Sequence, residues 1–271
     1  MMLIRPLISL LLFLGLVSVA HAQQSGLRRL DNRGDLLGWE AVGRLDLSGK
    51  GYCTATLIAS DLVLTAAHCV YAKDGTLIPA EKILFRAGLS DGVALAERQA
   101  LQVEPHAKYH PSEGKKWDRV RHDVALIRLK EPISTSIADP FVLHSGRDFG
   151  NNLSVTSYGR GRSAAPSRQR HCALVKRYRD LFVIDCDVTF GSSGAPVFSK
   201  VGGRGRIVSI VSQVSTSKEG GLAYGMTLPK RVAELKAQMR LNRVYAPAAE
   251  AGTIRQNGGA RSSAKFVRAP D

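Results

Sequence analysis

The feature of this sequence that most constrains its fold is a long series of short β-type runs. From Trp39 onward, short apolar and β-branched stretches alternate with Gly, Ser, Pro and Asp. Many short strands at near-regular spacing are typical of an all-β sandwich or barrel. The pattern predicts strands at 41–45, 52–58, 62–65, 83–87, 99–103 and 123–129, and a second set at 153–158, 173–178, 182–186, 196–198, 207–213 and 223–227.

One helix is predicted, near the end of the β-rich region. Val232, Leu235 and Met239 recur at spacings of three and four residues, which places them on one helical face. Pro229 suits the first turn of such a helix. We therefore expect a helix over 229–243.

The two ends of the chain differ in composition from the β-rich region. An apolar run over 7–19 follows Arg5 and precedes Ala20-His21-Ala22, which predicts a signal peptide over 1–22. The run is shorter than the ~20 residues needed to span a bilayer. We expect a secreted or periplasmic protein with no membrane association after cleavage. Residues 23–38 form a polar N-terminal extension, and 246–271 are expected to be a disordered basic tail.

The charge and the cysteines bear on whether the protein binds nucleic acid or carries a zinc or redox site. The formal net charge of +15 is compatible with acidic partners, but a basic exported protein explains it more simply. No cluster of aromatic residues interleaves with the basic ones, so we expect no specific nucleic-acid partner. Cys53, Cys69, Cys172 and Cys186 predict two disulfides, with three possible connectivities. The absence of a C-x-x-C pair disfavours a zinc or redox site, and we expect no metal and no cofactor.

One segment has the composition of a serine nucleophile on a tight turn. In Gly191-Ser192-Ser193-Gly194-Ala195-Pro196, glycine before the serine lets its backbone amide turn inward. The amides of Gly191 and Ser193 could then stabilise an oxyanion. Such a stretch could also be a flexible loop, but the following Val197 and Phe198 indicate entry into a strand.

Two further segments supply a base and a carboxylate. Small residues before His68 in Thr65-Ala66-Ala67-His68-Cys69 permit a tight turn after a strand. Asp123 opens an apolar run, so we expect it at the buried end of a strand, where it could orient His68. Asp118 and Asp139 are weaker candidates because both lie in polar, turn-like surroundings.

Together these three segments closely resemble the chymotrypsin-like (trypsin-fold) serine peptidases, in the order His, Asp, Ser. The resemblance extends from about Trp39 to Arg243. It implies two antiparallel six-stranded β-barrels, about 39–135 and 148–228, with the active site in the cleft between them and a closing C-terminal helix. The peptidase domain would then cover 39–245.

That resemblance also implies roles for particular residues. His68, Asp123 and Ser193 would form the catalytic triad of a secreted serine endopeptidase, acting on proteins or peptides as a monomer through an acyl-enzyme. Gly191 and Ser193 would form the oxyanion hole. A Cys53–Cys69 disulfide is implied, which leaves Cys172 and Cys186 to pair.

The sequence departs from the family at position 192. Where trypsins carry an aspartate that receives a new N-terminal amine, this chain has Ser192, and no Ile-Val-Gly-Gly start precedes Trp39. Bacterial V8-like and glutamyl endopeptidases also lack that aspartate, and the chain looks closer to them. Arg28-Arg29 is a weak candidate processing site.

Specificity is less clearly indicated. Asp187 stands where trypsin has its pocket-floor aspartate, which would favour Arg or Lys at P1, but a turn or surface role is equally compatible with the sequence. Ser212 lies on the strand expected to bind the substrate backbone. Val211 stands where glutamate-specific enzymes carry a histidine, which disfavours P1 glutamate.

Three further points concern a basic stretch, two histidines and the rival functions. The basic stretch 159–170 is expected to be a solvated loop, with an acidic-partner contact or self-cleavage as the alternative. His106 and His110 resemble a family His-Pro segment rather than metal ligands. A pseudoprotease that binds without cleaving is the main rival to the enzyme, and an added anionic-polymer role for the tail is a weaker one.

Overall fold

The computed structural model describes residues 26–112, 116–146, 148–199, 204–217 and 220–244. The expected signal peptide 1–22 and the basic tail 246–271 lie outside the described residues. Within the described ranges, no helix is long and apolar enough to cross a membrane.

The chain enters the fold through a short strand and a one-turn helix. These are β1 (Leu27–Arg29) and α1 (Arg33–Leu36), and both belong to the expected N-terminal extension. The side chain of Asn32 accepts a hydrogen bond from the Asp35 amide and so caps α1. The buried Leu36 faces the core.

Six strands then form a closed antiparallel barrel. They are β2 (Val42–Leu47), β3 (Gly51–Ala59), β4 (Leu62–Thr65), β5 (Ile83–Ala87), β6 (Ala96–Pro105) and β7 (Ala125–Leu129). The strand order around the barrel is β2-β3-β4-β7-β6-β5. Inward-facing Leu45, Leu57, Phe85 and Ile127 are fully buried and fill it. The first predicted barrel is therefore confirmed.

The remaining strands form one curled antiparallel sheet. They are β8 (Asn152–Gly159), β9 (Arg162–Tyr178), β10 (Leu181–Asp185), β11 (Pro196–Ser199), β12 (Arg206–Ile210), β13 (Gln213–Ser217) and β14 (Gly220–Met226). The path runs β12-β11-β8-β9-β10-β14-β13, with β1 also paired to β9. Ser209 Oγ donates to the Met226 carbonyl at 2.8 Å, which brings β12 against β14.

Three predictions need correction. The described strand pairs leave the second sheet open, so it is a half-barrel rather than a second closed six-stranded barrel. The expected loop 159–170 is mostly the first half of β9, which pairs with both β8 and β1. Its many Arg residues conceal any period-two apolar pattern. The predicted strand 207–213 breaks after Ile210, because Val211 bonds to the 194–195 turn instead of to β14.

Two longer helices join the sheets. α3 (Pro229–Leu241) confirms the predicted helix, although it ends before residue 243, and it buries Val232, Leu235 and Met239 against the first barrel. α2 (Lys116–His122), which the sequence pattern did not predict, leads into Asp123. Asp123 itself precedes β7 rather than opening it.

Both disulfides implied by the family resemblance are present. Cys53–Cys69 joins β3 to the turn after β4, with the Cα atoms 6.2 Å apart. Cys172–Cys186 joins β9 to the segment after β10, with the Cα atoms 5.1 Å apart.

Candidate active site

His68 and Asp123 form a doubly hydrogen-bonded pair. His68 lies on the 3-10 helix Ala67–Val70 after β4, and Asp123 is buried between α2 and β7. The His68 amide donates to Asp123 Oδ1, and His68 Nδ1 lies 2.8 Å from Asp123 Oδ2. A carboxylate only accepts hydrogen bonds, so the ring proton is on Nδ1. That tautomer leaves Nε2 free to accept a proton.

Ser212 provides a third hydrogen bond to the same carboxylate. Its hydroxyl donates to Asp123 Oδ2 at 2.5 Å, and its amide donates to the Tyr224 carbonyl at 2.8 Å. The side chain of Ser212, expected from sequence to serve substrate binding, therefore contacts the carboxylate. Three donors on one buried carboxylate hold it in one orientation.

Lys50 supports the turn that carries His68. Its ammonium donates to the carbonyls of His68 and Tyr71, each at 2.5 Å, and more weakly to that of Cys69. These carbonyls lie at the end of the 3-10 helix, where helical acceptors have no partner. Burial lowers the pKa of Lys50, and the nearby Asp123 partly opposes this shift. Nothing in the local sequence around Lys50 indicates this role.

The predicted nucleophile segment is a tight turn that depends on two glycines. Gly191 and Gly194 have φ values of +90° and +77°, in the region that favours glycine. A Cβ at Gly191 would overlap the Tyr52 ring, and one at Gly194 would overlap Thr65 Oγ1 and the Thr54 carbonyl. The turn therefore packs directly on β3 and on the end of β4, which leads into His68.

Hydrogen bonds from both sheets hold this turn in place. From β3, the Thr54 amide donates to the Ser193 carbonyl at 2.9 Å, and Thr54 Oγ1 donates to the Gly191 carbonyl at 2.8 Å. From the end of β12, the Val211 carbonyl accepts from the Gly194 amide at 2.7 Å. Ser193 thus lies at the seam between the barrel and the curled sheet. The sequence does not indicate that Thr54 holds this turn, because its partners are far away in the chain.

Two backbone amides at the turn remain available. Across the ranges of chain described, the amides of Gly191 and Ser193 donate to no protein acceptor. Unpaired amides on a turn beside a serine can bind a developing oxyanion. The oxyanion-hole role of these two residues stays a prediction from the sequence.

Position 192 is occupied by a neutral, buried hydroxyl. Ser192 Oγ lies 2.9 Å from Ser157 Oγ on β8, and both residues are buried. The Thr189 amide points at Ser192 Oγ from 3.4 Å, and the Ser192 amide donates to the Thr189 carbonyl at 2.9 Å. The side chain at 192 is therefore held entirely by residues within the fold.

Asp187 lies in an exposed ion pair with Arg162. Its Oδ1 is 3.6 Å from Arg162 Nη1, and its carbonyl accepts from Arg162 Nη2 at 2.7 Å. A Cβ at Gly221 would be in ordinary contact with the carbonyls of Cys186, Val188 and Ser215. The charge of Asp187, for which the sequence leaves both a pocket role and a surface role open, is balanced by Arg162.

Cys53, His68 and Cys69 approach one another closely enough to suggest a metal site. Both sulfurs, however, belong to the Cys53–Cys69 disulfide and are not thiolates. Since zinc binds cysteine through the thiolate, this cluster is not a suitable zinc site.

Comparisons with known proteins agree with this geometry. The family model described as Trypsin matches residues 37–236. The curated protein "Serine protease SP24D" of Anopheles gambiae is 33% identical over 119 residues, which cover 42% of this chain and 40% of that protein. "Coagulation factor IX" of Oryctolagus cuniculus is 25% identical over 196 residues, covering 61% of this chain and 68% of that protein.

Solved structures show the same fold at low sequence identity. A Glu endopeptidase in complex with MPD superposes with a TM-score of 0.65 at 16% identity, covering 79% of this chain and 97% of that one. A thermostable serine protease, AL20, gives a TM-score of 0.58 at 19% identity, covering 73% and 96%. Since the family model spans most of the chain, and the fold agrees, the chain belongs to the trypsin family.

Proposed function

We propose that this protein is an exported serine endopeptidase that cleaves peptide bonds with Ser193, His68 and Asp123. The observation that carries the proposal is the buried Asp123 carboxylate, which holds both the ring and the backbone of His68. The turn bearing Ser193 is anchored by Thr54, two residues before Thr56, where β3 begins to pair with β4, the strand that leads to His68. These contacts put base, carboxylate and nucleophile segments into one region.

In the proposed reaction, Ser193 Oγ attacks the carbonyl carbon of the substrate while His68 Nε2 accepts the hydroxyl proton. The amides of Gly191 and Ser193 bind the oxyanion of the tetrahedral intermediate. Asp123 stabilises the resulting imidazolium without taking its proton. His68 then protonates the leaving amine, which breaks the peptide bond and leaves an acyl group on Ser193.

Hydrolysis of the acyl-enzyme repeats these steps with water as the nucleophile. His68 Nε2 removes a proton from the water as it attacks the ester, and the same amides hold the second oxyanion. The proton then returns to Ser193 Oγ and the carboxylic acid product leaves. The proposed chemistry needs no cofactor.

We further propose that the nucleophile turn is ordered without a new N-terminal amine. The neutral Ser192 hydroxyl has its partners in Ser157 and Thr189, so it presents no buried charge that must be neutralised. In this respect the chain is closer to V8-like enzymes than to zymogen trypsins. Secretion with removal of residues 1–22 would then suffice for activity.

For specificity, we propose that Asp187 borders the P1 pocket and that Arg162 moderates its charge. Cleavage of a peptide library tests this role. Arg162→Gln should increase the preference for P1 Arg or Lys, and Asp187→Asn should abolish any such preference. Identical profiles for both variants and wild type would remove Asp187 from the pocket.

The main assignment can be tested with a fluorophosphonate probe, which labels an activated serine. The mature chain 23–271 should be labelled at Ser193, as mapped by mass spectrometry, and Ser193→Ala should not be labelled. Ser136→Ala changes an exposed serine and serves as the matched control. A folded, unlabelled wild type would support the rival assignment, a binding protein that has lost activity.

A further inference from the structure

A polar cleft of about 280 Å³ lies between the N-terminal extension and β9, apart from the candidate active site. Three arginines line it, Arg28, Arg168 and Arg170, with Asp35 as the one carboxylate of its lining. Asp35 forms an ion pair with Arg28. Three positive charges against one negative charge leave the cleft with an excess of two positive charges.

Arg168 is the unusual member of this group. The residue is only 8% exposed, its Nε is buried without a hydrogen-bond partner, and its guanidinium lies 3.9 Å from the centre of the Trp39 ring. Among the described residues, it forms no ion pair with a carboxylate. Burial and the nearby Arg170 lower the pKa of Arg168 to about 10. Buried arginines are ordinarily paired, because an unpaired buried charge is costly.

The strand register concentrates the positive charge. Arg28 on β1 lies directly opposite Arg168 on β9, so their side chains share one face of the sheet. Arg170 lies two residues farther along β9 and lines the same cleft. Like charges directly opposite each other destabilise a strand pair. An anion in the cleft would remove this repulsion.

We propose that this cleft binds an oxyanion, either a tetrahedral phosphate or sulfate or a carboxylate group. The planar guanidinium fork of Arg168 matches the geometry of such groups and can donate two hydrogen bonds to one of them. The guanidinium lies over the Trp39 ring, and its N–H groups donate within the guanidinium plane. Because Arg28 and Arg168 come from different strands, the bound anion fastens β1 to β9.

The experiment uses inorganic phosphate, sulfate and acetate with the mature chain 23–271, at ionic strength held constant with sodium chloride. A ligand that binds the folded state alone raises Tm by mass action. We expect a saturable rise in Tm with at least one of these anions. In a Trp117→Phe background, Trp39 becomes the single tryptophan of the chain, so its fluorescence should saturate over the same concentrations.

Variants of the cleft make the test specific. Arg168→Gln should weaken anion binding at least tenfold, and Arg170→Gln, at an exposed position, should also weaken it. Arg240→Gln changes an exposed arginine on α3 and should leave binding unchanged.

Two results would overturn the proposal. A wild type that responds to phosphate, sulfate and acetate no more than to chloride overturns the proposal, as does unaltered binding in Arg168→Gln and Arg170→Gln. If Arg168→Gln does not fold, Arg170→Gln alone decides. Stronger binding of phosphate or sulfate supports a tetrahedral ligand, and stronger binding of acetate supports a carboxylate. None of these readouts depends on peptidase activity.

Discussion

At the scale of single residues, the structure concentrates its polar contacts on a few backbone carbonyls and one carboxylate. Asp123 accepts from the amide and ring of His68 and from Ser212. Lys50 donates to backbone carbonyls of the turn that carries His68. Thr54 donates to the carbonyls of Gly191 and Ser193 on the nucleophile turn. Each contact restricts a group that the proposed mechanism needs in one orientation, and such preorganisation is a large part of enzymatic rate enhancement.

Ser192→Ala should lower both stability and kcat. The substitution leaves the Ser157 hydroxyl buried without its partner, which costs about 1–3 kcal/mol, and loosens the turn that presents the Gly191 and Ser193 amides. We expect a fall in kcat with little change in KM, because the oxyanion is bound mainly in the transition state. Urea unfolding and steady-state kinetics measure the two effects.

Ser199→Ala is the matched control for this prediction. Ser199 is also buried, and its hydroxyl donates to the Phe149 carbonyl at 2.7 Å, but it contacts no part of the nucleophile turn. It should lose comparable stability while kcat stays near that of wild type. The double variant Ser157→Ala/Ser192→Ala removes both hydroxyls and should recover part of the stability. An unchanged kcat in folded Ser192→Ala would contradict a positioning role.

At the scale of elements, α3 is attached to the first barrel through a histidine at the end of β6. His106 Nε2 lies 2.9 Å from Glu234 Oε2 on α3, and His106 Nδ1 accepts from the Lys108 amide at 3.2 Å. The ring is therefore neutral, with its proton on Nε2. The ring of His122, at the end of α2, lies 5.0 Å from that of His106. One small cluster thus joins α2, α3 and β6.

This cluster should make the protein less stable in mild acid. Burial lowers the pKa of His106, with the Glu234 hydrogen bond partly opposing it, and burial also lowers the pKa of His122. Histidines with a lowered folded-state pKa favour folding while neutral. Their contribution is complete above the unfolded pKa of about 6.5 and is lost as pH falls through the lower folded pKa. Urea unfolding at pH 7.5 and pH 5 measures the loss.

His106→Gln should reduce this pH dependence, because glutamine stays neutral at both pH values. The variant will be less stable than wild type at pH 7.5 but should lose less stability on acidification. His171→Gln alters an exposed histidine and should retain the wild-type loss. If His106→Gln and wild type lost stability equally between the two pH values, His106 would not be the responsible group.

At the scale of the whole molecule, the candidate site combines residues from two separate sheets. His68 and Asp123 belong to the barrel, whereas Ser193 and Ser212 belong to the curled sheet. Bonds from Thr54 and Ser212 cross the seam between the sheets. The site therefore requires both sheets to be folded and docked, and each sheet carries its own disulfide.

Removing the two disulfides should affect stability similarly and catalysis differently. The paired cysteines are 16 and 14 residues apart, so the chain-entropy model gives about 3 kcal/mol for each bridge. Cys53→Ala/Cys69→Ala releases the His68 turn and should mainly lower kcat. Cys172→Ala/Cys186→Ala releases the segment before Asp187 and should mainly raise KM. The reverse pattern would contradict this assignment of the two bridges.

Sequence alone was sufficient for the features that local pattern encodes. Short apolar and β-branched runs predicted most strands, a spacing of three and four residues predicted α3, and the short segments around His68, Asp123 and Ser193 indicated the family. These features depend on residues close together in the chain, because their spacing decides which face of a helix or strand they share. The failures lie where pattern is weak: the Arg-rich half of β9 and the polar helix α2 lack a clear apolar period.

Tertiary structure alone decided which distant residues meet. Thr54 reaches Gly191 across 137 positions, Ser157 reaches Ser192 across 35, and Arg162 reaches Asp187 across 25. No local pattern encodes such pairs, because strand register and sheet docking bring them together only after every element has formed. For the same reason, opening of the second sheet and the charge of the Arg168 cleft follow from how strands pair, and not from the order of their residues.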